Sequence, residues 1–201
     1  MPKLVDHEQR RRELATAVWG VIRRDGLEAA SVRKVAETAG WSAGALRHYF
    51  STQSELLNFA MQMVVERIEA RVGALEPPAD ARRAVEQRLH ELLPLDEERR
   101  AENEVWLAFS GRALVDPQLR ARHEEVDSEL RVACRRALEE LRSGGRLRPG
   151  LDLRLETERL HGLLDGLALH AAMRADRMSP RLIRSVLGRH LDSLDRGKDN
   201  G

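Results

Sequence analysis

The chain has 201 residues, 42% hydrophobic, 33% charged and only 3% aromatic, a size for one large domain or two small ones with a core to bury. Its 34 Lys/Arg nearly balance 33 Asp/Glu, which excludes a uniformly basic nucleic-acid coat, and its single cysteine, Cys134, excludes a disulfide framework and a Cys-rich metal centre. No apolar run reaches the ~20 residues of a membrane span, and the opening "MPKLVDHEQRRREL" lacks the apolar core of a signal peptide, so the expected location is the cytoplasm and no membrane partner is expected.

Residues 7–25 predict an amphipathic helix, with Leu14, Val18, Val21 and Ile22 at helical spacing and Gly26 as its stop. Ser31 predicts an N-cap for a short helix over 32–39, and Ser42 caps a third helix over about 43–50. Ser51 or Thr52 opens a longer helix through Leu56, Leu57, Ala60, Met61, Val64, Val65 and Ile68, which "EPPAD" at 76–80 breaks. A fifth helix near 80–93 is interrupted by Pro94, and a sixth over about 96–115 closes at Asp116-Pro117. The seventh runs from 117 to about 142 and ends at "SGGRLRPG", the best loop signal in the chain. Two more, near 153–176 and 180–194, complete nine helices, the last with Pro180 in its first turn. The tail "DRGKDNG" is expected to fray.

Ala, Leu, Glu and Arg dominate while strand formers rarely cluster, so the expected fold is all-α. Charge is unevenly spread: residues 1–50 carry nine Lys/Arg against six Asp/Glu, and the remainder is slightly acidic. A modestly basic head is compatible with DNA binding.

The stretch "SVRKVAETAGWSAGALRHYF", Ser31 to Phe50, carries the functional signal. Two short helices crossing steeply need a small residue at the contact, a glycine to turn the chain and apolar residues facing inward from both. Ala36 supplies the first and Gly40 the second; Val35, Ala39, Trp41, Leu46 and Tyr49 occupy inward offsets of a helix-turn-helix. The second helix then presents Ala43, Gly44, Arg47 and His48 outward, and its Ser42-capped end offers backbone N–H groups to phosphate. That geometry fits entry into a major groove. The alternative on spacing alone is an ordinary helical hairpin with Tyr49 and Phe50 as core.

With Ser31-Val32-Arg33-Lys34-Val35-Ala36, Ala39-Gly40-Trp41-Ser42-Ala43-Gly44-Ala45-Leu46, His48-Tyr49-Phe50 and Leu56-Leu57, residues 10–60 resemble the TetR family of transcriptional regulators. The resemblance implies a nine-helix architecture, with a DNA-binding head at 1–51 and a ligand-binding and dimerisation body at 52–201. It places Ser31, Arg33, Ser42, Gly44, His48 and Tyr49 at positions that hold the DNA backbone, and Ala43, Ala45 and Arg47 nearest base edges. Two residues depart from the family pattern. Arg47 stands where a tyrosine is common, and Gln53 stands where many members have a phosphate-contacting lysine.

The body resembles the BetI-like subgroup through "LPLDEERRAENEVWLAF", "ALVDPQLRARHEE" and "LHGLLDGLALHAAM". Asn103, Trp106 and Ser110 share one helix face, with Phe109 beside them, and an indole, an amide and a hydroxyl together suit a pocket wall or a core with satisfied polar atoms. His161 and Asp165, at i and i+4, suit a ligand anchor or a structural ion pair. Two donors without a third argue against a metal, and no metal or cofactor is expected. Asp165 is the only acidic residue in Leu160–Ala172, which favours a cationic group on the small-molecule effector.

Leu163, Gly166, Leu167 and His170 on the eighth helix, with Val186 and His190 on the ninth, mark stripes that fit a homodimer seam across a two-fold axis. No HExxH, GxSxG or GxxxxGKS motif is present, so an enzyme is not expected. The expectation is a homodimeric, ligand-responsive regulator, most simply a repressor, on a palindromic operator in double-stranded DNA. The alternative is a helical sensor that does not bind DNA.

Overall fold

The computed structural model describes residues 7–76 and 78–196. Most of the C-terminal tail, 197–201, lies outside the described residues, as does Pro77 of the expected breaker. Among the described residues nine α-helices follow in chain order: α1 His7–Asp25, α2 Val32–Ala39, α3 Ala43–Arg47, α4 Gln53–Gly73, α5 Ala81–His90, α6 Glu97–Ala113, α7 Pro117–Ser143, α8 Leu153–Met173 and α9 Pro180–Leu194. A 3-10 turn at Leu27–Ala29 joins α1 to α2. No strand ladder forms among the described residues, and no helix there is long and apolar enough to cross a membrane.

The chain forms two compact units. The first runs up to Arg67 and takes in Glu104–Arg120. Its apolar interior comes from Leu14, Val18, Val21 and Ile22 of α1, Val35 and Ala36 of α2, Leu46 of α3, and Leu56, Leu57 and Ala60 of α4, all buried. Gly40 ends α2 with φ 70°, a left-handed turn that favours glycine. Its N–H and that of Trp41 both return to the Ala36 carbonyl. At the start of α4, the Glu55 N–H donates to Thr52 Oγ1 (3.1 Å), while the Glu55 carboxylate accepts the Ser51 and Thr52 N–H groups at 2.5 and 3.3 Å. This reciprocal cap satisfies donors that a helix start otherwise leaves bare, and it lowers the Glu55 pKa.

The second unit takes Ile68–Asn103 and continues from Ala121. Its core joins Val85 and Leu89 of α5, Cys134, Leu138 and Leu141 of α7, Leu160, Leu164 and Leu167 of α8, and Ile183, Leu187 and Leu191 of α9. Cys134 is fully buried, and burial pushes its thiol up to about 12. The loop after α7 is tied to the end of α9, with Arg148 N–H donating to Leu194 O (3.0 Å) and Arg196 N–H to Arg146 O (2.7 Å).

A buried carboxylate, Glu102 (4% exposed), receives both terminal nitrogens of Arg71 at 2.6 Å. The Arg71 Nε donates in turn to Glu91 at 2.9 Å, and Glu91 also accepts from Arg99 at 2.9 Å. A bidentate guanidinium is the partner that makes such a buried charge tolerable.

Candidate functional site

In the head, two serines set the helix-turn-helix. Ser31 Oγ accepts the Lys34 N–H at 3.2 Å to start α2, and Ser42 Oγ accepts the Ala45 N–H at 3.1 Å to start α3. Leu46 is wholly buried, so the opposite side of α3 faces out. Ser42, Ala43, Gly44, Arg47 and His48 are exposed there, Ala45 is partly buried, and Ser31 and Arg33 are exposed at the start of α2. Arg33 and Arg47 form no ion pair with another described residue. A Cβ added at Gly44 would meet only Ser42 Oγ, at 3.9 Å, so internal packing does not demand glycine at that position.

The structure corrects the expected inward set. Tyr49 is 37% exposed, and Phe50 is the buried residue, its ring 5.1 Å from that of Phe59. The α-helix ends at Arg47, three residues short of the expected stop, but the Phe50 N–H still reaches Leu46 O at 2.9 Å, so Phe50 lies one turn beyond the buried Leu46 on its face and Tyr49 falls to the edge of that face. Trp41 is likewise only partly buried. Tyr49 lies against its ring at 5.5 Å, and the Arg10 guanidinium sits 5.5 Å from the ring centroid. Gln53 is exposed, but its side-chain N–H donates to Ala30 O at 3.0 Å, tying the start of α4 to the residue before the α2 cap.

In the body, Trp106, Phe109 and Ser110 belong to the first unit, whereas Asn103, His161 and Asp165 belong to the second. Phe109 is fully buried, and Trp106 and Ser110 are partly buried. Asn103 is 9% exposed, and its amide donates to Ala168 O at 2.9 Å, so one of its two N–H donors is committed to the fold.

His161 and Asp165 do meet, and a third group that the sequence reading missed joins them. His161 Nε2 lies 3.6 Å from Asp165 Oδ2 and 3.4 Å from Asp127 Oδ1, which projects from α7. The His161 side chain is buried, whereas Asp127 and Asp165 are partly open to solvent. Burial raises the Asp165 pKa, the neighbouring Asp127 charge raises it further, and His161 and His123 oppose the shift. Asp127 stands 34 positions before His161 in the chain, so only the packing of α7 on α8 brings it into view.

Along α8 and α9, Leu167 belongs to the core of its own chain at 4% exposure, and Leu163 and Val186 pack against that core. Gly166 and His190 are partly buried, and His170 is exposed. The apolar residues left open are Leu155, Leu169 and Met173 on α8 and Leu182 on α9. On α8 the open residues stand about one position around the helix from the expected stripe; Leu182 on α9 stands one turn before Val186, on the expected stripe itself.

Family comparison matches this arrangement along nearly the whole chain. Residues 16–60 match the model of bacterial regulatory proteins of the tetR family, and residues 62–196 match that of the BetI-type transcriptional repressor, C-terminal region. The chain belongs to the tetR family. The HTH-type transcriptional regulator PksA of Bacillus subtilis is 40% identical over 196 residues, covering 96% of this chain and 94% of that protein. A transcriptional regulator from Rhodococcus sp. Rha1, solved by crystallography, superposes with a TM-score of 0.76 at 33% identity, over 92% of this chain and 95% of that one. A regulator from Saccharomonospora viridis, solved in complex with choline, shares the fold with a TM-score of 0.79 at 20% identity, over 94% and 99% of the two chains. As a tetR-family member, this protein is a transcriptional regulator with a helix-turn-helix DNA-binding head, and not an enzyme. A sensor without DNA binding is thereby set aside.

Proposed function

We propose that this tetR-family regulator is a homodimeric repressor that holds a palindromic operator until a small, positively charged effector binds its body. Residues 1–51 act as the reading head and 52–201 as the regulatory body. The observation that carries the DNA-reading assignment is the outer face of α3, where an exposed Arg47 without an ion pair among the described residues stands beside Ser42, Ala43 and Gly44. Small side chains let the helix approach a groove closely, and an unpaired guanidinium suits guanine O6 and N7. Ser31, Arg33, His48 and Tyr49 lie around that face as candidates for the phosphates, with Ala45 partly buried behind it. Gln53, engaged with Ala30, takes a positioning part.

The open apolar stripe Leu155, Leu169, Met173 and Leu182 supports association through α8 and α9. A cationic effector is supported by the paired carboxylates of Asp127 and Asp165, and by the choline held in the S. viridis protein of the same fold. Effector binding releases DNA only through unequal affinity for the two states; moving the balance from ~1:99 to ~99:1 takes about 5.5 kcal/mol.

Selection of bound sequences from random duplex DNA by the purified protein tests the reading. An inverted repeat with two half-sites is expected. Enrichment of single half-sites alone, or no enrichment, would overturn it.

A further inference from the structure

We propose that Asp127, His161 and Asp165 form a site for a divalent metal ion of the zinc, cobalt and nickel class. Donors of one imidazole and two carboxylates suit those ions, and one ligand atom from each residue lies within 4.8 Å of the others. The independent sign of a ligand is His161 itself. The residue is only 6% exposed, its Nε2 has no hydrogen-bond partner, and that nitrogen is aimed between the two carboxylates. The nitrogen has only the ion-pair-range contacts to the two carboxylates, longer than a good hydrogen bond, and a metal ion would give it a bond.

The two spacings from Nε2 fit a metal's donor set. Donors bonded tetrahedrally at about 2.0–2.2 Å stand ~3.3–3.6 Å apart. Donors around an ammonium, at about 2.7–2.9 Å, stand ~4.4–4.7 Å apart. The distances from Nε2 to the two carboxylate oxygens are 3.4 and 3.6 Å. Two carboxylates also match the charge of a dication, and their partial exposure gives it a way in. His123 lies about one turn before Asp127 on α7. The metal would bridge α7 and α8. The proposal deepens the reading of the body as a cation sensor, and for its regulatory meaning it rests on that reading.

Cobalt(II) is the probe, because its visible absorption reports coordination by protein donors. Titration of the full-length protein, after treatment with a chelator, is expected to show one bound ion per chain and a raised thermal midpoint. Asp127→Asn and Asp165→Asn, both at partly exposed positions, are each expected to weaken binding by at least about tenfold and to remove the thermal shift. His161→Gln is expected to do the same where it folds. Cobalt bound equally by the wild type and both Asn variants would make the binding adventitious and overturn the site. Titration with choline runs in parallel. Choline binding lost in Asp165→Asn, with no cobalt binding, overturns the metal and leaves the cation reading standing. Neither ligand binding removes both.

Discussion

Asn103 on α6 and Ala168 on α8 are joined by a buried hydrogen bond of 2.9 Å, from side-chain amide to backbone carbonyl. The amide fastens the first half of α6 to α8, and the Ala168 carbonyl lies within α8, where the backbone N–H one turn on still serves it. Asn103→Ala is therefore expected to cost about 0.5–1.5 kcal/mol of stability and to leave effector release of the folded fraction unchanged. Denaturant unfolding alongside an operator-release titration separates the two effects. Intact stability with a lost response would make Asn103 a pocket residue.

Arg47→Ala is expected to weaken operator binding by about 1–3 kcal/mol, with the loss concentrated at one base position per half-site. Binding measured on a panel of single-base operator variants checks it. A uniform loss on every sequence would make Arg47 a phosphate contact.

Leu169→Glu and Met173→Glu, each on the open side of α8, are expected to give folded monomers that no longer hold the palindrome. Leu167→Glu is expected to misfold instead, because Leu167 is already buried in its own chain. Light scattering with circular dichroism distinguishes these outcomes, and dimers of unchanged mass from both open-face variants would move the seam elsewhere.

Arg71→Met strips Glu102 of its bidentate partner. The expected loss is at the lower end of about 3–5 kcal/mol, since Arg71 keeps some contact with water. Replacing both residues, Arg71→Met with Glu102→Met, is expected to recover much of that loss. A double variant no better than the single one would mean that the network acts through more than charge balance.

Acid is expected to destabilise the fold through two histidines. Burial holds the His90 and His190 imidazoles below the ordinary histidine range; Glu86 and Glu91 oppose this at His90 while Arg184 and Arg99 add to it, and at His190 Arg159 adds to it while Glu156 opposes. Below about pH 6.5 the unfolded chain takes up protons that these folded sites refuse. Their stabilising contribution is thus present above that pH and is lost as pH falls towards the folded values. The thermal midpoint is expected to drop between about pH 7.5 and about pH 5.5, and a His90→Gln, His190→Gln variant is expected to flatten the slope.

What was legible in the sequence is what the chain decides locally. Ser31 and Ser42 cap the helices their positions announce, and Gly40 ends α2, because each needs only neighbours within a few residues. The burial of Phe50 in place of Tyr49 was not legible, since both follow Leu46 by about one turn and only packing against Phe59 of α4 selects between them. Asp127 was invisible for a different reason. Nothing near it in sequence marks it, and only the approach of α7 to α8 sets it beside His161. Likewise, which stripe of α8 stays open depends on how much of the helix the core of its own chain consumes.

The buried Cys134 makes this chain convenient for distance spectroscopy. Its thiol, shielded from water and protonated up to about pH 12, offers almost no thiolate to a maleimide. A cysteine introduced at the exposed Glu28, in the head but outside the residues assigned to DNA, would carry the single label of each subunit, with no native thiol to delete. In the proposed dimer two such labels sit one per head. Their separation, followed by paired spin labels, would report on the same molecule whether the heads match two half-sites about 34–36 Å apart, and how far an added effector draws them out of register.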